Sequence, residues 1–405
     1  MYLNARECEY LSPTATLSHL PALRVLDVSG TEIGDALVAS LPGSLIELRL
    51  AGCWHVTADA TLDHLHALRV LHCIDVELAP DTLVACRARG CAMPVVGVLR
   101  GHYRYVRSLV LLGAGRLASR DSSGEIRLWD MAVVGGEATA ALRTGSEVRA
   151  MAALRNGRRL AISTGKWDAK EGCIEVWNAD RVPPTRRATI KVCSEVLALA
   201  VLPDGCLAAG CKDGAVRVVD VDAGAVVATL SGHTDSVRAL AILPDGALAS
   251  GSHDASVRVW DVGTRACMAT LAVCIGGVWS LAVLADGRLA VGGSDDGTVQ
   301  VWDVGARVCV DVLSGHTGAV TALAALPDGR LASAPEDGII RLWDTRPAAA
   351  AGASRAAGVV PSVIVDVLVG FDGALVSLPD GRLACGGGGG TICLLEVPPP
   401  AAACE

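Results

Sequence analysis

Two stretches of the chain carry a histidine, a serine and an aspartate, the residue types of a nucleophilic triad, followed by a tryptophan. The spacing is the same in both stretches, which comprise His233, Ser250, Asp254 and Trp260, and His316, Ser333, Asp337 and Trp343. Nucleophilic catalysis requires such a set once, whereas here it occurs twice. The repetition favours a structural role, and we predict that the chain has no catalytic residues and is not an enzyme.

Metal and cofactor sites also lack a convincing pattern in the chain. The fifteen cysteines are scattered and never form two CxxC pairs at zinc spacing. Several of them, such as Cys211, Cys274 and Cys309, occupy positions that hold apolar residues in sister repeats, which predicts small buried hydrophobic side chains. The glycine run at 386–390 precedes an apolar strand without a following Lys-Ser/Thr pair, so it indicates a turn. We expect neither a metal nor a cofactor.

The composition limits the classes of partner. The net charge is −8 and no long block of Lys or Arg is present, so the chain lacks the basic surface that nucleic acid requires. No apolar run approaches the ~20 residues that span a bilayer, and the first ten residues do not resemble a signal peptide. We expect a soluble intracellular protein, cytoplasmic or nuclear, without nucleic acid or membrane partners.

The elements that carry the two sets are repeats. A Leu-x-x-Gly turn followed by Leu-Ala occurs seven times at intervals of 41 to 52 residues, with its glycine at Gly115, Gly157, Gly205, Gly246, Gly287, Gly329 and Gly381. Four copies read Leu-Pro-Asp-Gly, in which proline presets φ and glycine tolerates a positive φ. Each copy is therefore predicted to join two strands.

The unit at 231–271 is the clearest and predicts four strands, at 237–243, 247–251, 257–260 and 266–271. Its inner strands are apolar on both faces, whereas a sheet with one solvated face alternates. Such strands need cover on both sides, which radially stacked sheets provide.

Gly232-His233 and Trp260-Asp261 in this unit resemble the signature dipeptides of the WD40 family, and six further units align with it. The resemblance covers about three quarters of the chain and implies a mainly β protein with a seven-bladed β-propeller over residues 93–397. In WD40 proteins the histidine, serine, aspartate and tryptophan form a hydrogen-bonded tetrad within a blade, so the two sets are identified as structural tetrads. Departures such as Val219 for tryptophan and Ser123 for aspartate look like ordinary blade variation.

Closure of the ring follows from the last unit, whose final inner strand at 391–397 runs into three prolines and leaves no outer strand. Residues 94–99 precede the first Gly-His, where other units carry the outer strand of the preceding blade. We predict that they complete blade seven and so remove an exposed sheet edge. Residues 398–405 are predicted to be a disordered tail.

Residues 1–92 follow a different period, of 22 to 23 residues, seen in Leu23-x-x-Leu26-x-Val28 and its two successors. This pattern resembles leucine-rich repeats, in particular the cysteine-containing repeats of F-box proteins, and predicts a short α/β segment. Leu3 is in phase with Leu26, so we expect the chain to begin inside a repeat. Whether an F-box or more repeats lie upstream of Met1 is left open.

WD40 domains commonly bind partners on the face that carries the loops between one blade and the next. The resemblance implies that one residue after each Gly-His loop, Arg238 in the clearest unit, enters this face near the central channel. Alignment by the turn glycines gives one residue in each of six blades: Arg107, Arg149, Leu197, Arg238, Trp279 and Thr321. Tyr105, Lys212 and His253 are expected beside them. The arginines suit a carboxylate or phosphate, although Glu147, Glu195 or Asp295 could neutralise them instead.

Two functions are consistent with these features. The first is a non-catalytic scaffold that presents a propeller face to protein or peptide partners. The alternative is a substrate receptor of a ubiquitin ligase, similar to F-box proteins with WD40 propellers, that recognises an acidic or phosphorylated degron. An enzyme built on a propeller would need a metal cluster or paired carboxylates, and the sequence offers no such set.

Overall fold

A computed structural model represents the 405-residue chain. It describes residues 2–5, 16–17, 19–50, 53, 55–57, 59–73, 76, 78, 82, 86, 95–131, 137–144, 146–154, 157–165, 171–273, 276–293, 296–335, 338–346, 362–366, 374–386 and 390–397. Asp337, Cys274 and the tail at 398–405 lie outside these residues, so the expectations for them stay predictions. The chain divides into two compact units, one mainly before Gly97 and one mainly after it.

The amino-terminal unit contains a four-stranded parallel sheet with one short strand per sequence period. Its strands are β1 (Tyr2–Asn4), β2 (Val25–Asp27), β3 (Glu47–Arg49) and β4 (Val70–His72), and its helix is α1 (Asp35–Ala39). Leu3 pairs in register with Leu26, Leu26 with Leu48, and Leu48 with Leu71. The last three of these leucines are buried in one apolar core. Besides α1, only Thr82 and Cys86 are helical among the described residues of this unit, so the regular α/β alternation expected for residues 1–92 is not shown.

The second unit contains seven four-stranded sheets, the blades of a β-propeller. Blades 1 to 3 consist of β6 (Val106–Leu112), β7 (Arg116–Asp121), β8 (Ile126–Asp130) and β9 (Ala140–Leu142); β10 (Glu147–Ala153), β11 (Arg159–Gly165), β12 (Gly172–Asn178) and β13 (Thr185–Val192); and β14 (Val196–Val201), β15 (Leu207–Cys211), β16 (Val216–Asp220) and β17 (Ala225–Leu230). Blades 4 and 5 consist of β18 (Val237–Ile242), β19 (Leu248–Ser252), β20 (Ser256–Asp261) and β21 (Ala266–Ala272); and β22 (Val278–Val283), β23 (Leu289–Gly293), β24 (Val299–Asp303) and β25 (Val308–Leu313). Blade 6 consists of β26 (Val320–Ala325), β27 (Leu331–Pro335), β28 (Ile339–Trp343) and β29 (Ser362–Asp366).

Blade 7 is assembled from both ends of the propeller sequence. Its strand order is β30 (Leu375–Ser377), β31 (Leu383–Gly386), β32 (Thr391–Leu395) and then β5 (Val95–Arg100). The strand before the first blade is therefore the outer strand of the last blade, and the predicted closure is confirmed. A ring joined in this way leaves no sheet open at the junction of its first and last blades.

The turn between the first two strands of each blade has the backbone conformation that its glycine was expected to supply. All seven turn glycines have a positive φ, between 58° at Gly157 and 98° at Gly205. A side chain at such a φ is strained, which explains why all seven turns carry glycine at this position.

The second strand of a blade is covered on both faces, as the apolar pattern predicted. Every residue of β15, β19, β23 and β27 is buried. Apolar clusters extend from one blade into the next: one joins Val257 of blade 4 to Val278 and Leu289 of blade 5. Stacking of blade against blade thus supplies the core. No helix among the described residues has the length and apolar character needed to cross a membrane.

Candidate partner-binding cavity

The first predicted tetrad forms a continuous chain of hydrogen bonds inside blade 4. The indole N–H of Trp260 donates to Ser250 Oγ at 2.8 Å, and Ser250 Oγ lies 2.7 Å from His233 Nε2. His233 Nδ1 lies 2.9 Å from Asp254 Oδ2. Burial lowers the pKa of His233, so the ring is neutral and can donate one N–H to the carboxylate. Ser250 is fully buried and its hydroxyl is engaged within the tetrad, which accords with a structural rather than a catalytic use.

The second set is described in part. His316 Nε2 lies 2.6 Å from Ser333 Oγ, and the indole N–H of Trp343 donates to the same oxygen at 2.7 Å. These contacts repeat the geometry of blade 4.

Blade 1 contains a further tetrad that sequence reasoning missed. Ser119 Oγ lies 2.6 Å from His102 Nε2 and accepts the indole N–H of Trp129 at 2.7 Å, while His102 Nδ1 lies 3.2 Å from Asp121. The expectation that Ser123 leaves this blade without an aspartate is wrong. Asp121, two residues earlier on β7, supplies the carboxylate and accepts the Ser123 hydroxyl at 2.6 Å. The spacing from histidine to serine to tryptophan, which equals that of blade 4, was the available signal.

His102 and Asp121, together with Glu125, place possible metal-ligand atoms within 4.8 Å of one another. Both ring nitrogens of His102 are occupied by the tetrad, and Glu125 lies 3.3 Å from the guanidinium of Arg127. The trio is therefore accounted for by hydrogen bonds and an ion pair, and we assign it no metal.

Of the cysteines that were expected to be buried, Cys211 is buried and Cys309 is not. Cys211 is buried, and this burial raises the pKa of its thiol to about 11. Cys309 is exposed, so its predicted burial is wrong. The residue lies on β25, the outer strand of blade 5, where the apolar pattern continues onto the solvent side of the sheet.

The structure brings the six predicted rim positions together in one cavity. The central cavity has a volume of about 540 Å³ and is lined by residues of all seven blades. The lining includes the six rim residues Arg107, Arg149, Leu197, Arg238, Trp279 and Thr321, the expected neighbour Lys212, and Arg120, Glu195, Ser236, Ala374 and Leu375.

A β-bulge explains how the rim residues reach the cavity. Each follows a buried valine near the start of the first strand of its blade, as Arg238 follows Val237. Pairing with the second strand is interrupted between Val237 and Ala239, and the same shift surrounds Arg107, Leu197, Trp279 and Thr321. A bulge leaves one residue out of the ladder and redirects its side chain. The rim residues are thus the bulged residues of successive blades.

Arg149 is engaged by two carboxylates. Its guanidinium lies 2.6 Å from Glu147 Oε2 and 3.0 Å from Glu195 Oε1. Lys212 Nζ lies 3.6 Å from the other oxygen of Glu195. The alternative in which glutamates neutralise the rim arginines therefore describes Arg149.

Arg238, Trp279 and His253 form a stack. The guanidinium carbon of Arg238 lies 4.5 Å from the centre of the Trp279 ring, and the Trp279 and His253 rings are 5.1 Å apart. His253 thus supports the cavity wall through Trp279. Tyr105 is 44% exposed and does not line the cavity.

Arg120 is a cavity residue that sequence reasoning missed. It lies on β7 and is paired with Ser108 of β6. The corresponding pair in blade 4 is Gly251 with Ala239. Arg120 lies five residues after the turn glycine of blade 1, and Gly251 lies five residues after that of blade 4. The alignment therefore already showed an arginine where blade 4 has a glycine.

Comparison with known proteins agrees with this architecture. The profile of the WD domain, G-beta repeat, matches residues 185–220, 224–261, 265–303 and 307–344. The chain is similar to the crystal structure of the WD40 beta propeller domain of Doa1, with 18% sequence identity and a TM-score of 0.62. This similarity covers 76% of this chain and 97% of that one. No curated protein sequence matches the chain.

The protein therefore contains WD40 repeats arranged as a seven-bladed β-propeller. Propellers of this class typically act as protein-interaction scaffolds and are generally non-catalytic. Similarity at 18% identity concerns the fold alone, so the nature of the partner rests on this chain's own residues.

Proposed function

We propose that the protein is a non-catalytic scaffold whose central cavity binds an acidic or phosphorylated segment of a partner protein. The observation that carries this proposal is the charge of the cavity lining. Its described residues include five cations, Arg107, Arg120, Arg149, Lys212 and Arg238, and one carboxylate, Glu195. The chain as a whole has a net charge of −8, so this concentration of positive charge is local.

The stack on the blade 4 and 5 side supports a second contact. A guanidinium held over an indole ring keeps its planar fork oriented, so less entropy is lost when Arg238 pairs with an anion. Trp279 offers an apolar surface beside it. A partner segment that carries an anionic group next to an apolar side chain matches this wall.

Peptide libraries test the proposal directly. Degenerate peptides fixed at phosphothreonine, glutamate or alanine are offered to the wild type, to an Arg107→Ala, Arg238→Ala double variant, and to Thr321→Ala as the control from the same cavity. We expect selection of the anionic libraries by the wild type and the control, and loss of about 2 kcal/mol or more of binding free energy in the double variant. Equal binding of the alanine library would refute the preference for an anion.

A second candidate function follows from the amino-terminal unit. We propose that residues 1–92 are leucine-rich repeats, supported by four parallel strands whose leucines pair at intervals of 22 to 23 residues. Because F-box proteins combine such repeats or a WD40 propeller with ligase binding, we propose as an alternative that the protein is a substrate receptor of a ubiquitin ligase. Co-purification of ubiquitin ligase subunits with the full chain, lost when Leu26 and Leu48 are replaced by Asp, would support this role. Absence of ligase subunits from the wild-type complex would oppose it.

A further inference from the structure

One position on the second strand holds a small residue in six of the seven blades. It is occupied by Ser163, Gly210, Gly251, Gly292, Ala334 and Gly386 in blades 2 to 7, and by Arg120 in blade 1. A Cβ atom added at Gly210 would lie 2.8 Å from Val237 Cγ1, on the first strand of the next blade. At Gly251 the obstacle is Val278, again on the next blade. Tight stacking of neighbouring blades explains the small residues.

Arg120 departs from this pattern and contacts the next blade. Its Nη1 donates to the backbone carbonyl of Val148 at 2.6 Å, and Val148 is the blade 2 counterpart of the valines that press on the glycines. The first strands of blades 1 and 2 pack less closely than those of the successive blade pairs from blade 2 to blade 6. The side chain therefore extends between blades 1 and 2 and reaches the central cavity while its residue stays 8% exposed.

A purely structural role does not require a charge here. A neutral amide could donate to the Val148 carbonyl, and burying a guanidinium carries a desolvation penalty that a neutral group avoids. Arg107 on β6 and Arg149 on β10 line the same cavity from the first strands of blades 1 and 2. Arg149 is already engaged by two glutamates, so Arg120 and Arg107 are the two blade 1 guanidinium groups that remain for an anion. Two planar forks suit the several oxygens of a phosphate group.

We infer that Arg120 is a phosphate-binding residue of the cavity, where its side chain extends between blades 1 and 2 beside Arg107. This inference rests on the proposed function and names its anion as a phosphate group. Either a phosphorylated side chain of a partner or a free phosphate compound could supply that group. The two sources share the same contacts with the guanidinium.

The test uses the full chain with Arg120→Gly, which installs the residue found in blades 3, 4, 5 and 7. Because glycine is native to this position elsewhere in the ring, the variant is expected to fold. Arg120→Lys keeps the charge without the fork, and Arg187→Gly, at an exposed arginine on the outer strand β13 and outside the cavity lining, is the control. The probes are inorganic phosphate, pyrophosphate and a phosphothreonine peptide library, each at constant ionic strength with sulfate-free chloride buffer as reference. The melting temperature and a binding isotherm are measured for every combination of protein variant and probe.

For the wild type and Arg187→Gly we expect a probe-dependent rise in melting temperature, because a ligand that binds only the folded state stabilises it. Arg120→Gly should weaken binding by about tenfold or more, and Arg120→Lys should recover part of it. Response to the peptides alone identifies a partner side chain as the source, whereas response to pyrophosphate identifies a free compound. An undiminished response in Arg120→Gly overturns the inference.

A wild type that responds to no phosphate probe also overturns the inference. If that protein still selects glutamate peptides, the proposed function stands and only the phosphate assignment fails. If it selects no anionic peptide, both fail together.

Discussion

Replacement of Gly210 by alanine tests whether blade-to-blade packing sets the identity of the second-strand glycines. The new Cβ would lie 2.8 Å from Val237 Cγ1, 3.0 Å from the Val237 carbonyl oxygen and 3.3 Å from Ala198 Cβ. Favourable carbon contacts lie at about 3.5 to 4.0 Å, so the neighbouring blade must retreat by more than half an ångström. Val237 is fully buried and cannot turn into solvent.

The expected magnitude follows from two opposing effects. Overpacking of a buried site costs about 1 to 3 kcal/mol, whereas loss of glycine freedom in the unfolded chain returns about 0.4 to 1 kcal/mol. The middle of each range gives a net destabilisation of about 1.3 kcal/mol. This corresponds to a drop of about 1 to 5 °C in melting temperature for a unit of this size.

The assay is thermal melting of the full chain followed by tryptophan fluorescence, since seven of the eight tryptophans lie after Gly97. Gly165→Ala is the matched control, because this glycine also lies at the end of a second strand and its new Cβ would meet nothing closer than 3.9 Å. Combining Gly210→Ala with Val237→Ala should reduce the penalty of the added methyl group. If Gly210→Ala melts at or above the wild-type temperature, the packing explanation is refuted.

Three further predictions concern the ring, a tetrad and the cysteines. A chain that begins at Ala92 should melt cooperatively, whereas one that begins at Gly101 lacks β5 and should not; equal melting would contradict closure by that strand. Because burial lowers the pKa of His233 in the folded state, its contribution to stability is complete above the unfolded value of about 6.5 and is lost as the pH falls below it. The drop in melting temperature between pH 7 and pH 5 should therefore be smaller in His233→Gln than in the wild type, and an identical drop would oppose the assignment. In native protein at pH 8, maleimide should modify the exposed Cys309 but not Cys211, as mass spectrometry of the digested protein can show.

The amino-acid sequence alone determined the repeating architecture. A turn that needs a positive φ demands glycine wherever it occurs, so seven glycines at near-regular intervals indicate seven blades. The apolar second strands predicted cover on both faces, and the missing outer strand of the last unit predicted closure. These inferences succeeded because each depends on local conformation or on the period of the chain, both of which are written along the sequence.

The alignment also identified the rim, although not the reason that its residues face the cavity. The sequence shows that each rim residue follows a valine. The bulge that turns Arg238 inward, however, arises only when the first and second strands pair. Whether an arginine is compensated is likewise decided across blades, since Arg149 of blade 2 meets Glu195 on the approach to blade 3.

Other features were decided by the tertiary structure because they depend on what lies opposite a residue. Asp121 replaces the expected carboxylate of blade 1 since its side chain can reach His102 from another strand position. Cys309 has the apolar neighbours of a core residue, yet its strand is the outermost of the blade and faces solvent. Arg120 stands where other blades carry small residues, and its guanidinium donates to the Val148 carbonyl of the next blade. The period of the sequence reveals the order of strands and turns within a blade. Burial and charge pairing also depend on the neighbouring blade that stacks against each strand.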